Sequence, residues 1–179
     1  MRSLSRFTRD TAGAAAVEFV LWLSLLTVPI LNAVDLGLYI YQKMELQIAA
    51  QAAAQFAWHN CDTTAKLPAV KNCAALTAAA VTAAAQSTTL GAKVTVSSGY
   101  PLEGYYCLTS GGALTAAGTD ATLGGTPTGG TTKCTGTQTL PGDYIRVQTT
   151  FTYSPVFPNM TIGSLLNSSV TRVAWMRLN

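Results

Sequence analysis

The sequence predicts an α+β protein in which a long N-terminal apolar helix precedes a small antiparallel sheet domain stapled by disulfides. Three features indicate this: an uncharged apolar run over residues 19–34, an alternating segment over residues 143–153, and four cysteines that all follow the helix. Of the 179 residues, 49% are hydrophobic and only 11% are charged, against about 25% charged residues in ordinary soluble domains. This composition disfavours a free-standing cytosolic protein and excludes intrinsic disorder, which needs low hydrophobicity and high net charge.

The first part of the helix has the properties of a membrane span. From Ala14 to Tyr41 the chain would rise about 42 Å as a helix, enough to cross a hydrocarbon core of about 30 Å. Its two acids, Glu18 and Asp35, would lie roughly 25 Å apart along the axis, so each can sit near one membrane interface. Three arginines precede the span, namely Arg2, Arg6 and Arg9. The positive-inside rule therefore predicts a cytoplasmic N-terminus and an external C-terminal domain.

Beyond the span, residues 43–58 predict an amphipathic stalk that continues the same helix. Leu46 and four alanines recur at helical spacing, and three glutamines occupy another face. Pro29 is expected to bend the helix. A cleaved secretory signal is the alternative, but the apolar stretch exceeds the usual ~7–15 residues and no polar cleavage region follows it.

The remaining residues, 59–179, are expected to form the external domain. Residues 74–86 predict an Ala-rich helix, with Pro68 near the start of the longer helical segment, and residues 93–98 predict a strand. The Gly/Thr-rich stretch 109–142 predicts a loop, either an adhesive or partner-reading element or a mobile tethered loop. Residues 143–153 alternate, with Ile145, Val147, Phe151 and Tyr153 on one face. Residues 168–178 are expected to pair with this strand.

The cysteines predict a disulfide framework. Cys61, Cys73, Cys107 and Cys134 allow three connectivities, of which Cys61 with Cys73 and Cys107 with Cys134 is the most economical. The spacings contain no Cys-x2-Cys pair and His59 is the single histidine, so neither a metal site nor a cofactor is predicted.

The junction between leader and helix reads Gly13-Ala14-Ala15-Ala16-Val17-Glu18-Phe19. It resembles the processing site of type IV prepilins and pseudopilins, where a membrane-embedded aspartyl peptidase cuts after the glycine. The resemblance implies cleavage after Gly13, a new amine on Ala14, and assembly roles for Glu18 and Phe19. A charge at mid-bilayer costs about 2.5 to 3.5 kcal/mol, so the Glu18 carboxylate would pair with a neighbouring subunit's amine. The alternative is an uncut signal anchor in which Glu18 is an interfacial acid.

The wider N-terminal segment resembles the TadE-like proteins of tight-adherence (Flp, type IVc) pili. The junction is followed by a Leu-rich run, an acid-x-Gly element at Asp35-Leu36-Gly37, two tyrosines and an Ala/Gln-rich continuation. Family members more often have glutamate where Asp35 stands. Residues 144–158 are similar to the family's closing pattern.

This resemblance implies a pilin-like minor pilin or pseudopilin in the bacterial inner membrane, an accessory subunit because the chain is much larger than the major pilins of Flp systems. The implied partners are a prepilin peptidase, other Tad pilins and the pilus assembly platform.

Two other classes of function are compatible with this topology. A permanently anchored periplasmic binding or adhesion module is the main alternative. A membrane-tethered enzyme is disfavoured, because a His-dependent site would have to use His59, and the external acids Glu103, Asp120 and Asp143 are scattered along the sequence. Nucleic-acid binding is not expected, since most of the net charge of +3 lies in the leader.

Overall fold

The computed structural model describes residues 11–117, 134, 139–166 and 168–178. The leader arginines, Asp120 and most of the Gly/Thr-rich stretch lie outside the described residues. The chain divides into two compact units: the first contains Met1–Ile40 and Ser154–Ser168, and the second contains Tyr41–Tyr153 and Ser169–Asn179.

A single helix, α1, runs from Thr11 to Cys61 with Pro29 inside it. It therefore extends slightly beyond both ends of the predicted span and stalk. The elements that follow are α2 (Ala69–Asn72), α3 (Ala78–Ala85), β1 (Thr95–Val96), β2 (Leu102–Leu108), β3 (Leu114–Ala116), β4 (Gly142–Thr152) and β5 (Ser169–Arg177), with short 3-10 turns at Thr64–Lys66, Gly91–Lys93 and Ile162–Leu165.

The sheet of the second unit is built around β4 and is antiparallel throughout. Strand β5 pairs along one edge of β4, from Tyr144↔Arg177 to Thr152↔Ser169. The other edge pairs first with β2 and then with the short β1, and β3 pairs with β2. The predicted small antiparallel sheet and the pairing of the last strand with β4 are thus confirmed.

One face of β4 forms the core of the second unit. Ile145, Val147, Phe151 and Tyr153 are all buried, as the alternation predicts. The predicted apolar stripe of the stalk is also buried: Leu46, Ala49, Ala50, Ala53 and Ala57 are 0% exposed. Small alanine side chains let a helix backbone approach its neighbours closely. Two hydrogen bonds tie the stalk to the sheet, from Thr149 Oγ1 to the Leu46 carbonyl at 3.3 Å and from Gln47 Nε2 to the Val173 carbonyl at 3.3 Å.

The opposite face carries a cluster of aromatic rings around one arginine. The Arg146 guanidinium lies 5.0 Å from the Trp175 ring centre and 5.4 Å from that of Tyr100. Tyr106 packs edge-on against Trp175 at 4.8 Å. Such cation–π and edge-to-face contacts stabilise neighbouring strands.

The predicted Ala-rich helix is shorter than expected and is separate from the helical turn that follows Pro68. The Thr77 side chain accepts a hydrogen bond from the Ala80 amide at 3.2 Å and so starts α3 at Ala78. The backbone of Cys73 is extended, which ends α2. Sequence periodicity could not show this break because alanines alone suit one continuous helix.

Two further sequence expectations need correction. The strand expected over residues 93–98 is only the two-residue β1, because a 3-10 turn occupies Gly91–Lys93. Strand β2 was not predicted, and β3 lies inside the stretch expected to be a loop. Both strands depend on pairing with residues that are distant in the sequence. Their own sequences give no clear strand pattern, because β2 contains a glycine and β3 has only three residues.

The disulfides join Cys61 to Cys73 and Cys107 to Cys134, with Cα–Cα distances of 5.7 and 5.4 Å. These are the two pairs that the spacing favours. The first ties the end of α1 to the end of α2 and is buried with Ala57, Ile145 and Leu178. Each such link typically stabilises a fold by about 2–4 kcal/mol.

Candidate functional site

The first half of α1 is apolar around its whole circumference. Large side chains from Val17 to Ile30 are exposed on every side of the helix, including Phe19 at 65% and Trp22 at 57%. Among the described residues, Gly13–Cys61 is a helix long and apolar enough to cross a membrane. A helix that is apolar all round must be covered by lipid or by other helices.

Three polar side chains within this apolar half donate hydrogen bonds to carbonyl groups of the helix itself. Ser24 Oγ donates to the Leu21 carbonyl at 2.8 Å, and Thr27 Oγ1 donates to the Leu23 carbonyl at 2.7 Å. Asn32 Nδ2 donates to the Val28 carbonyl at 2.8 Å. The two hydroxyl groups can therefore enter hydrocarbon with their donors paired.

The predicted processing and assembly residues lie together at the start of α1. Gly13, Ala14, Glu18 and Phe19 are all exposed and fall within two helical turns. A Cβ built at Gly13 would meet nothing within 4 Å. The fold therefore does not require a glycine here, although glycine in a helix costs about 1 kcal/mol relative to alanine.

The Gly13–Ala14 peptide bond is helical in the structure. A protease that reads an extended backbone would have to unwind the helix at this bond before cutting it.

Further along α1, Asp35 holds the segment Ser154–Ser168, here called the clamp loop. Asp35 is fully buried. Its Oδ1 accepts a hydrogen bond from the Val156 amide at 2.9 Å, and its Oδ2 accepts one from the Thr161 hydroxyl. One turn earlier, Asn32 Oδ1 accepts a hydrogen bond from the Ile162 amide at 2.7 Å. The acid of the acid-x-Gly element is thus a structural anchor for a segment more than a hundred residues away.

The clamp depends on a close approach at Gly163. A Cβ at this position would lie 2.9 Å from Asp35 Oδ2 and 3.0 Å from the Pro155 Cβ. Both contacts are shorter than normal packing allows. Gly163 is therefore required by the space between the loop and the carboxylate. By contrast, a Cβ at Gly37 would meet nothing within 4 Å.

The second unit contains a buried pair of carboxyl groups, Glu103 and Asp143, which are 4% and 5% exposed. The register places Glu103 opposite Ile145 and Asp143 opposite Tyr105, so the two acids are diagonal neighbours on one sheet face. Glu103 accepts hydrogen bonds from the Ala69 and Val70 amides at 2.6 and 2.7 Å. Glu103 and Asp143 are scattered along the sequence, but the pairing of β2 with β4 brings them together.

Asp143 has a raised pKa in this buried setting. Burial raises the pKa of Asp143 to about 7, and the charge of Glu103 and its hydrogen bond to Asp143 contribute in the same direction. The pKa of Tyr105 is also raised, first by burial and then by the charges of Asp143 and Glu103. At moderately acidic pH Asp143 therefore holds a proton.

His59 lies at the rim of two surface cavities in the second unit. One, of about 300 Å³, is lined by Gln55, Trp58, His59 and Met176. The other, of about 400 Å³, includes Asn60 and Ser87, whose hydroxyl donates to the Ala84 carbonyl at 2.7 Å. Within the part of the chain that the structure describes, no carboxylate lines either cavity. Among the described residues no group of three or more potential metal ligands occurs.

Residues 13–55 match the family model described as TadE-like protein. This segment is TadE-like. The resemblance predicted from the junction and the acid-x-Gly element is confirmed, and the matched segment contains Gly13, Glu18 and Asp35. No curated protein and no solved structure matches the chain.

The TadE-like match ends at residue 55 and so does not extend to the sheet or to residues 144–158. The matched family is associated with the Tad pilus, and the match relates only this segment of the chain to it. Asn32, Thr161 and Gly163 were missed by sequence reasoning. The available signal was Asp35 itself, since a carboxylate in an apolar helix needs hydrogen-bond donors from elsewhere in the chain.

Proposed function

We propose that this protein is a minor pilin or pseudopilin of a Tad (Flp) type IV pilus and that a prepilin peptidase cuts it after Gly13. The observation that carries the proposal is the TadE-like segment on a helix whose apolar half is uncovered. That half begins directly after a glycine that the fold does not need. A protease cleft that admits only a backbone without a side chain explains why glycine occupies position 13.

In this proposal the chain has three functional regions. Residues 1–13 form a cytoplasmic leader, residues 14–58 form the membrane and stalk helix, and residues 59–179 form a domain outside the inner membrane. The leader arginines hold the N-terminus in the cytoplasm. After cleavage the apolar half of α1 can exchange lipid for the helices of neighbouring subunits.

Assembly would be guided by Glu18. A carboxylate that enters a helix bundle needs a cation, because an unpaired buried charge is strongly destabilising. Cleavage produces one at the Ala14 amine of the adjacent subunit. Phe19, 65% exposed beside it, would pack against the same neighbour. The register between subunits would follow from this one charge pair.

The test is the intact mass of the protein purified from membranes of its native host, compared with a Gly13→Val variant. The proposal predicts wild-type protein that begins at Ala14 and a Gly13→Val variant that keeps Met1. Gly37→Val is the matched control, since a Cβ at either glycine would meet nothing within 4 Å, and it should be processed normally. Wild-type protein that retains Met1 would instead indicate a permanently anchored periplasmic module.

A further inference from the structure

The clamp loop carries an apolar surface with no charge. Val156, Met160, Ile162 and Leu165 are 55%, 61%, 51% and 83% exposed. No Asp, Glu, Lys, Arg or His occurs between Ser154 and Ser168. A surface loop that faces water is normally polar, because water solvates polar side chains better than apolar ones.

The clamp fixes the depth of this loop relative to the candidate span. Val156, Thr161 and Ile162 bind Asp35 and Asn32 of α1. Asp35 lies roughly 25 Å along the helix from Glu18. With Glu18 at one interface of a core about 30 Å thick, the loop lies close to the opposite interface and follows directly on the apolar surface of α1.

Hydrogen bonding within the loop suits a medium of low polarity. The Met160 amide donates to the Phe157 carbonyl at 3.3 Å, and the Leu166 amide donates to the Gly163 carbonyl at 3.2 Å. The Ser164 hydroxyl donates to the Thr161 carbonyl at 3.3 Å. Together with the hydrogen bonds to α1, these contacts pair amide and hydroxyl donors that would otherwise need water as an acceptor.

We propose that the clamp loop inserts its four exposed apolar side chains into the outer leaflet of the same membrane that α1 spans. The occupant of this surface is lipid at the boundary of headgroups and acyl chains. Continuity with the apolar helix and the absence of charge favour lipid over a protein partner, whose interface usually has a polar rim that sets register. The inference needs α1 to span a membrane, but neither cleavage after Gly13 nor incorporation into a pilus.

The test uses full-length protein in vesicles of phosphatidylethanolamine and phosphatidylglycerol. A polarity-sensitive fluorophore is attached at Leu165→Cys, or in a second preparation at Met160→Cys. Both side chains are more than half exposed, so the substitutions leave the packing of the loop intact. Leu26→Cys within α1 is the membrane reference, and Ala79→Cys, an exposed position of α3, is the aqueous reference.

Insertion predicts that the labels at 165 and 160 are quenched by lipids with a nitroxide near the headgroup. Quenching should be at least twofold stronger than at Ala79→Cys, and aqueous iodide should have little effect. Iodide quenching equal to that at Ala79→Cys would overturn the proposal. A second result would also overturn it: labels that are shielded from iodide but are not quenched by the nitroxide lipids, with shielding that falls as the protein is diluted in lipid. In that case a second copy of the chain would cover the loop.

Discussion

Replacement of Asp143 by asparagine should remove a pH-dependent part of the stability of the second unit. Asp143 is nearly buried beside Glu103, and burial raises its pKa from 3.8 to about 7. The native state therefore holds a proton that the unfolded chain releases at lower pH. Stability from this group is fully present below pH 3.8, falls as the pH rises towards about 7, and stays constant above it.

The magnitude follows from the displacement of the pKa. Each pKa unit corresponds to about 1.4 kcal/mol of unfolding free energy, and partial solvent screening lowers the total contribution. We expect wild-type protein to lose about 2 kcal/mol of unfolding free energy through this group between pH 4 and pH 8. An asparagine can donate to Glu103 as the protonated acid does, without acquiring a charge at high pH. Asp143→Asn should therefore be the more stable protein at pH 8.

The assay is urea unfolding of the full chain in detergent micelles, followed by tryptophan fluorescence at pH 5 and pH 8. The difference in unfolding free energy between the two pH values should shrink in Asp143→Asn. Asp62→Asn replaces an exposed acid of the same unit and is the matched control, because it removes one carboxyl group without touching the buried pair. An unchanged difference in Asp143→Asn, or lower stability of that variant at pH 8, would refute the reasoning.

Three further outcomes are expected. Glu18→Gln should be inserted and cleaved normally, but its recovery with the pilus or its platform should fall at least tenfold. Loss of one partner of a buried ion pair costs about 3–5 kcal/mol, and about 1.4 kcal/mol already corresponds to a tenfold change. Equal recovery at matched expression would remove the assembly role. Gly163→Ala should destabilise the folded clamp loop by about 1–3 kcal/mol and speed its proteolysis, since the added carbon would lie 2.9 Å from Asp35 Oδ2. Gly111→Ala is the control and should have neither effect, because its added carbon would have its nearest contact at 4.0 Å. Alkylation of denatured, unreduced protein should label no cysteine, and stoichiometric labelling would contradict the two disulfides.

Local patterns in the sequence were sufficient for the elements that carry their own periodicity. The apolar span, the alanine stripe of the stalk and the alternation of β4 each repeat with the period of the structure they form. The TadE-like junction is local as well, because it is a run of consecutive residues. These features determined the fold class and the candidate processing site.

Only the tertiary structure decided which distant residues meet. Asp35 is recognisable in sequence, but its partners Thr161 and Gly163 lie in a loop with no periodic signal. Glu103 and Asp143 meet through the register of β2 with β4, and β2 itself was not predicted. Each depends on long-range pairing, whose register is set by the packing of the whole sheet. A buried carboxylate indicates that donors must exist elsewhere in the chain, but the fold alone selects them.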